Sequence, residues 1–538
     1  MAEDARACVL RRADVRALDA FTIRRGLASL DLMEKAGEAL ADYFDESVRR
    51  DSSDTPHVLI LCGSGNNGGD GFVLARLLDA RGWSVTVALC SSEPREGSDA
   101  HANLLRWRQC GGKLRDRSAT LALLGDASSA GLRPSFDVIA DALFGTGLDR
   151  PLDAAFVELV RGIGDSGIPV IAVDVPSGLD ADTGLPLGAA VRAEATATLG
   201  AAKPGLFIGK GPDYVGRVSV LDIGLARPDE AELEVVGTVL DSTAIAPLLP
   251  ERRGSTHKGD VGHVLVCGGS NGKSGAVLLG ARAALRAGAG LVTMALPATL
   301  APAADLALWE AMTIGLADDG HGNVADNAYA SIENATARFS VAAVGPGLGT
   351  GEPARALVEA MIEGFDGALV LDADALNVLA GREAIARALA ERAAAGRGGV
   401  VLTPHPGEMG RLLGTTAAAV QADRIGSVRA CVARYPGAIV VLKGAATLVG
   451  GGKAIRFNTS GNPGMASPGM GDVLAGTLAA LLAVVDDLLD AASIAVFAHG
   501  LAADLLAAET EGAGFFASEV ADAIPNAMRE IRSTSGIR

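Results

Sequence analysis

Short β-branched runs alternate with longer alanine-rich stretches along the whole chain, the pattern of parallel sheets whose faces are covered by helices. In the first half, residues 58–62, 85–89, 136–140, 170–175 and 218–223 read as strands, after an amphipathic helical region that reaches Val48. In the second half, residues 263–267, 341–344, 368–372, 400–403 and 439–442 repeat the theme. Between them, residues 226–253 carry Pro228, Asp229, Glu230, Glu232, Glu234, Pro247, Pro250 and Glu251, polar and proline-marked as a connection should be. The pattern predicts two α/β domains, 1–228 and 229–538. A length of 538 residues agrees, since a domain takes about 150. No repeat of fixed period relates the halves.

Composition narrows the chemistry. Apolar residues at 49% and charged residues at 21% give a globular profile. A net charge of −17 argues against a nucleic-acid or anionic-membrane surface, so any phosphate ligand must be held locally. The six cysteines lack a Cys-x-x-Cys pair and the seven histidines lack a His-x-x-x-His pair, so neither a disulfide framework nor a zinc site is expected. That suits a reducing cytoplasm. Glu3, Asp4, Arg6, Arg11 and Arg12 leave no apolar core for a signal peptide. The longest apolar run, residues 473–485, falls short of the ~18 residues that span a bilayer, so no membrane helix is expected.

Three glycine-rich loops follow strands of the first half. Gly63-Ser-Gly-Asn66-Asn67-Gly68-Gly69-Asp70-Gly71 contains Gly-x-Gly-x-x-Gly, by itself a weak dinucleotide fingerprint. The next strand ends Leu89-Cys90-Ser91-Ser92, without the acidic residue that would hold a ribose hydroxyl, so an ordinary nicotinamide dehydrogenase loses support. The other loops are Asp141 with Gly145, Thr146, Gly147 and Leu148, and Asp174-Val-Pro-Ser177-Gly178-Leu-Asp180. Strand C-terminal ends of such sheets face one crevice, which favours a shared site over three unrelated turns. Oxygen donors from Asn67, Asp141 and Ser177 suit an alkali or alkaline-earth ion, and Asp174 is left as a candidate acid/base. Lys203, beside Pro204-Gly205, has the setting of a solvated turn residue.

In the second half, residues 267–274 nearly imitate a Walker A loop, but Cys267 stands where the first glycine belongs. A small-residue helix is expected over residues 280–290. Gly345-Pro346-Gly347, Asp372-Ala-Asp374, Thr403-Pro-His405-Pro-Gly-Glu408 and Lys443-Gly444-Ala445-Ala446-Thr447 all follow strands. Lys443 would give a charge and Thr447 a hydroxyl to a polyphosphate, while Asp372, Asp374 or Glu408 could act through Mg²⁺ and its waters. His405, between two prolines, is either rigidly presented to a ligand or a hydrogen-bonded structural residue. The loop Asn462-Pro-Gly-Met-Ala-Ser-Pro468-Gly469-Met470-Gly471-Asp472 then opens an apolar helix. Its glycines suit an anion, and Asp472 is either the helix cap or the base of a phosphoryl transfer.

Taken together these motifs resemble the bifunctional NAD(P)H-hydrate repair enzymes over nearly the whole length, with Leu32-Met33-Glu34-Lys35-Ala36-Gly37, His257-Lys258-Gly259 and Ser274-Gly275-Ala276 adding to the match. The resemblance implies a Rossmann-like three-layer α/β/α epimerase domain followed by a ribokinase-like, ADP- or ATP-dependent dehydratase domain. It implies that Asn66, Asn67, Gly68, Gly69, Asp70 and the loop Gly145, Thr146, Gly147, Leu148, Asp149, Arg150 and Pro151 contact the hydrated dinucleotide, with Asp174 at the substrate. Asn67, Asp141 and Ser177 would coordinate potassium. Ala276, Gly347, His405 and Asp472 would line the hydrate pocket, and Lys443 to Thr447 with Gly471 would bind the nucleotide. The substrates would be NADHX, NADPHX and ADP or ATP, with Mg²⁺, and a homo-oligomer free of nucleic acid and membrane is the expected assembly. One departure stands out: relatives carry Thr-Gly-Gly-Ser-Gly-Asp where this chain has Ser467-Pro468-Gly469-Met470-Gly471-Asp472, which removes one N–H and one hydroxyl. A ribokinase-like kinase would explain the second half alone, and a non-catalytic dinucleotide-binding module the first.

Overall fold

The computed structural model describes residues 8–48, 55–129, 136–251, 254, 255, 257–510 and 512–534. Glu3, Asp4 and Arg6, read above for a signal peptide, and the last two residues of the 226–253 connection lie outside them. The chain separates into two units, Met1–Thr238 and Val239–Arg538.

In the first unit seven strands run parallel in the order Leu114–Asp116, Ser84–Leu89, His57–Cys62, Val138–Ala142, Val170–Val173, Ala195–Leu199, Arg217–Leu221. Side chains alternate across the sheet with period two. Val58, Ile60 and Cys62 therefore join a core with Leu40, Phe44, Phe72 and Trp107, while Leu59 and Leu61 join another with Leu124, Leu159 and Ile163. Two covered faces make the three layers the sequence pattern predicts. Leu114–Asp116 and Ala195–Leu199 escape that pattern, the first being short and polar and the second built of alanine and threonine. The N-terminal helical region is two helices, Arg12–Arg24 and Ser29–Val48, parted by Gly26 at φ 111°. Ala226, Ala231, Leu233 and Val235 pack back against Cys8, Leu10, Val15 and Leu18, so this unit runs to Thr238 rather than 228.

In the second unit the order is Ala454–Asn458, Leu448–Gly451, Ala438–Leu442, Val400–Leu402, Ala368–Leu371, Val341–Val344, His263–Cys267, Leu291–Pro297, Met312–Leu316. The first two junctions are antiparallel and the rest parallel. One face buries Val264, Val266, Val341 and Ala343 under the helices Ser274–Ala287, Met470–Leu482, Leu488–Glu509 and Ala517–Thr534. On the opposite face, Val428 of helix Arg424–Arg434 sits over Gly450. The sequence pattern misses Leu291–Pro297, which follows Gly288 and Gly290 directly and extends the small-residue stretch of the preceding helix. It also misses the edge strand Met312–Leu316 and the glycine-bearing hairpin. The expected helix over 280–290 begins earlier, at Ser274, and ends at Ala287 before Gly288 at φ 103°.

Among the described residues the longest apolar helix is Leu488–Glu509 rather than residues 473–485, and by length and composition it is sufficient to cross a bilayer. Asp490, His499 and Asp504 break its apolar run in the sequence. Residues such as Ile494, Val496 and Phe497 are buried in the core, the ordinary place for such a helix.

Helix Met470–Leu482, which starts at the loop bearing Asp472, crosses Ser274–Ala287 in direct backbone contact. A Cβ on Gly476 would lie 1.9 Å from the Gly280 carbonyl oxygen. Gly476→Ala should therefore force the helices apart at a cost of about 1–3 kcal/mol. Thermal unfolding of the purified chain should show a lowered second-unit transition, and an unchanged midpoint would refute the contact.

Candidate active sites

In the first unit, the strands His57–Cys62, Val138–Ala142 and Val170–Val173 are adjacent and parallel, so their C-terminal loops meet. Asp141 is fully buried, and its two carboxylate oxygens accept from the Ser177 hydroxyl at 2.6 Å and the Ser177 N–H at 2.8 Å. Burial pushes its pKa up to about 6 against these stabilising hydrogen bonds. The Ser177 hydroxyl oxygen also accepts from the Phe144 N–H at 2.9 Å, which ties the second loop to the third. Asp174 sits at φ 70°, a left-handed backbone uncommon for a residue with a side chain. Its Oδ1 lies 2.5 Å from Lys203 Nζ, and its Oδ2 accepts from the Thr146 N–H at 3.4 Å.

Lys203 is thus not a solvated turn residue. It is 1% exposed and donates to Asp174, to the Thr198 hydroxyl at 3.0 Å and to the Leu199 carbonyl at 3.0 Å. A lysine buried at this depth needs a carboxylate partner and filled donor positions. Pro204-Gly205 in the sequence gave no sign of it.

Asn66 to Asp70 form the first turns of helix Asn66–Ala80 rather than a free loop, with Gly65 at the N-cap. Packing accounts for the glycines: a Cβ would meet the Gly63 carbonyl oxygen at 2.0 Å from Gly68, Met33 Sδ at 2.7 Å from Gly69, and Cys62 Sγ at 2.8 Å from Gly71. Asn66 is exposed, whereas Asn67 and Asp70 are each 8% exposed. Both amide atoms of Asn67 are buried without a hydrogen-bond partner among the described residues. A Cβ on Gly145 would lie 3.1 Å from Asn67 Oδ1 and 2.9 Å from Asp174 Oδ2, so glycine there keeps a space open between the two. An orphaned amide facing that space is a ligand-binding feature, because leaving it unpaired costs about 1–3 kcal/mol. Of the three oxygen donors expected for a cation, Asn67 Oδ1 is unpaired among the described residues, while those of Asp141 and Ser177 bond to one another. Gly147, Asp149, Arg150 and Pro151 form an exposed rim.

In the second unit, Lys443 Nζ lies 2.6 Å from Asp372 Oδ1 and 3.8 Å from Glu408 Oε2. Burial pulls its pKa down, but the carboxylates more than reverse this. Thr403 donates to the same Asp372 oxygen at 2.7 Å. A Cβ on Gly471 would come within 3.3 Å of Lys443 Nζ, so the loop that carries Asp472 closes directly on this pair. Asp472 is not the helix cap: Gly469, at φ 91°, holds the N-cap position and Asp472 lies in the first helical turn. Burial first, and then the charge of Asp372, push its pKa up to about 6, with Lys443 opposing. Met470 is 7% exposed and belongs to the hydrophobic core, so the thioether that replaces a hydroxyl serves packing.

His405 caps helix Pro406–Leu413, its Nδ1 accepting from the Gly407 N–H at 2.9 Å, while Glu408 accepts from the His405 N–H at 2.8 Å. Burial and the nearby Lys443 and Arg411 hold the ring below the usual histidine pKa, and half of the side chain is exposed. Burial likewise pushes Glu408 up to about 7. Gly347, at φ 65°, and Ala276 are neighbours, since a Cβ on the glycine would lie 3.4 Å from the alanine Cβ. Asp374 instead accepts from the Gly349 N–H at 2.8 Å and braces the Gly345–Gly349 turn.

Two residues of this site carry no sequence signal. Arg424, 4% exposed, donates to the carbonyls of Leu442 at 3.2 Å and Ala446 at 3.4 Å, and so shapes the turn from Lys443 to Thr447. His499 is 7% exposed, and its Nε2 lacks a partner among the described residues. Burial and Lys443 push it down to about 4, so the ring is neutral.

Among the described residues no three His, Cys, Asp or Glu side chains form a metal cluster. A carbohydrate-kinase-type family model described as NAD(P)H-hydrate dehydratase matches residues 264–526, and one described as YjeF-related protein N-terminus matches residues 29–205. A bifunctional NAD(P)H-hydrate repair enzyme from Moorella thermoacetica is 36% identical over 94% of this chain and 93% of its own length. One from Escherichia coli is 36% identical over 95% and 91%. An ADP/ATP-dependent NAD(P)H-hydrate dehydratase from Bacillus subtilis, co-crystallised with ATP/Mg²⁺, is 28% identical with a TM-score of 0.46, covering 54% of this chain and 97% of that one. With relatives so similar along both units and a family model on each, the chain belongs to the bifunctional NAD(P)H-hydrate repair enzymes, an epimerase domain joined to a dehydratase domain.

Proposed function

We propose that the second unit dehydrates the S epimer of NADHX and NADPHX at the expense of ADP or ATP, and that the first unit interconverts the R and S epimers. Asp472 carries the dehydratase reading: it is a half-buried carboxylate beside Lys443 that does not cap its own helix. Asp472 takes the proton of the ring hydroxyl while the terminal phosphoryl group passes to that oxygen, releasing AMP from ADP or ADP from ATP. The carbon–oxygen bond then breaks, phosphate leaves under the push of the ring nitrogen, and the neighbouring carbon gives up a proton to restore the double bond. Ala276, Gly347 and His405 are assigned to the hydrate, and Lys443, Gly444, Ala445, Ala446, Thr447 and Gly471 to the nucleotide. Asp372 and Glu408 would hold Mg²⁺, which would supply positive charge to the phosphoryl transfer.

In the first unit, Asn66 to Asp70 and Gly145 to Pro151 are assigned to the hydrate, with Asp174 as an acid/base. Asn67, Asp141 and Ser177 would hold potassium as a fixed charge. A reducing cytoplasm suits the six cysteines, none of which is disulfide-bonded. The assembly is assigned as a homo-oligomer joined through Leu306, Trp309 and Met312, which are 77%, 85% and 44% exposed beside the open edge strand Met312–Leu316.

Activity, binding and sedimentation measurements test these assignments. With mixed hydrate and ADP or ATP, Asp472→Asn should lower recovery of the dihydronicotinamide absorbance about 10²–10⁴-fold for both epimers. The wild-type rate should fall as pH drops below about 6, because the protonated Asp472 no longer accepts a proton. Asp174→Asn should still repair the S form, and fast use of the R form by this variant would remove Asp174 from the epimerase step. A stable phosphorylated product without dehydration would point to a kinase instead. Arg424→Met should weaken nucleotide binding about tenfold or more by calorimetry, since its guanidinium shapes the Lys443 turn. Trp309→Glu should shift the sedimentation coefficient to that of a smaller species, and an unchanged value would exclude this surface.

A further inference from the structure

Helix Arg12–Arg24 precedes the segment 29–205 that matches the family model, and none of the loop motifs includes it. Arg12, Arg16 and Asp19 share one stripe of this helix, next to the buried stripe of Val15, Leu18 and Thr22. Arg12 donates to the Leu148 carbonyl at 2.9 Å and pairs with Asp182 at 3.1 Å, and Arg16 donates to the Thr146 carbonyl at 2.9 Å. These bonds lay the stripe across the loop whose Thr146 N–H binds Asp174. Asp19 is the next residue of that stripe, one turn beyond Arg16 and its bond to the Thr146 carbonyl. Its charge is felt by Asp70, and it in turn feels Lys203 and Asp174. Burial, the largest cause, and the negative Asp174 push the Asp19 pKa up to about 6 against the pull of Lys203. Asp19 is also only half-buried.

We propose that Asp19 is the second carboxyl of the epimerase site and works with Asp174 as an acid/base pair on the hydroxyl-bearing carbon of the hydrate. The proposal rests on the epimerase function assigned above. That carbon is bonded to the ring nitrogen. Protonated Asp19 gives its proton to the hydroxyl, the carbon–oxygen bond breaks, and water leaves as the nitrogen lone pair forms an iminium bond. Water then adds to the opposite face, and its proton passes to the Asp174 carboxylate, which is ion-paired with Lys203. Solvent returns the proton from Asp174 to Asp19, and the reverse reaction exchanges the two roles. No atom or electron is gained or lost. Such an exchange needs one carboxyl that gives a proton and another that takes one.

The test follows R-to-S conversion without nucleotide in ¹⁸O-labelled water, for the wild type, Asp19→Asn and Asp19→Glu. The wild type should place one labelled oxygen on the carbon per inversion. Asp19→Asn should lower kcat about 10²-fold or more, with labelling falling in step and KM within about threefold. Asp19→Glu should regain part of the rate and retain an alkaline limb in its pH profile, which the Asn variant loses. Inversion by the wild type without label, or wild-type kcat in Asp19→Asn, overturns the proposal and leaves the epimerase function standing. A loss in Asp19→Asn with a lowered melting temperature and no rescue by Glu also overturns it. A wild type that does not interconvert the epimers at all overturns the epimerase function itself.

Discussion

Each site is organised around a lysine that an aspartate neutralises: the buried Lys203 with Asp174 in the first unit and the partly buried Lys443 with Asp372 in the second. A buried ammonium is tolerated only where a carboxylate and further acceptors replace its water, so each lysine dictates where the neighbouring loops lie. Lys203 draws in Thr198 and Leu199, and through Asp174 it fixes the loop at Thr146. Lys443 holds Asp372, approaches Glu408 and lies close to Gly471, so its own turn, the His405 helix and the Asp472 helix converge on one charge. Breaking either couple would strand a charge in the interior.

The same low-polarity surroundings explain how a chain with net charge −17 handles anionic substrates. A local charge such as that of Lys443 takes the place of a basic surface. Burial also raises the carboxyls around those points, to about 6 for Asp141, Asp19 and Asp472 and about 7 for Glu408. Carboxyls poised there can exchange protons near neutrality, as acid/base chemistry requires. Glycine contributes by closeness as much as by flexibility. Gly476 on Gly280 brings two helices into contact, and Gly145 keeps a Cβ out of the space between Asn67 and Asp174.

The sequence determined a great deal by itself. Period-two runs and alanine-rich stretches specified two α/β units, because local hydrophobic periodicity sets which faces are buried. The rule that loops at strand C-terminal ends share a crevice gathered the loops bearing Asn67, Asp141 and Asp174, and the order of motifs identified the family before any coordinates. Strands that lie at sheet edges or are built of small residues, such as Met312–Leu316 and Ala195–Leu199, were invisible because pairing rather than composition makes them.

Only the tertiary structure decided what individual polar residues do, because burial and distance between remote positions are not written in local sequence. It moved Lys203 from a solvated turn to an ion pair, made the Asn66 to Asp70 run the start of a helix, and gave the cap position to Gly469, leaving Asp472 in the first helical turn. It also brought in Asp19, Arg424 and His499, single residues on helices far from any motif, whose meaning comes from the charges they meet after folding. Hydrophobic pattern is a property of neighbours along the chain, and it fixes architecture. Electrostatic environment is a property of neighbours in space, and in this protein it selects the carboxyls that are placed to react.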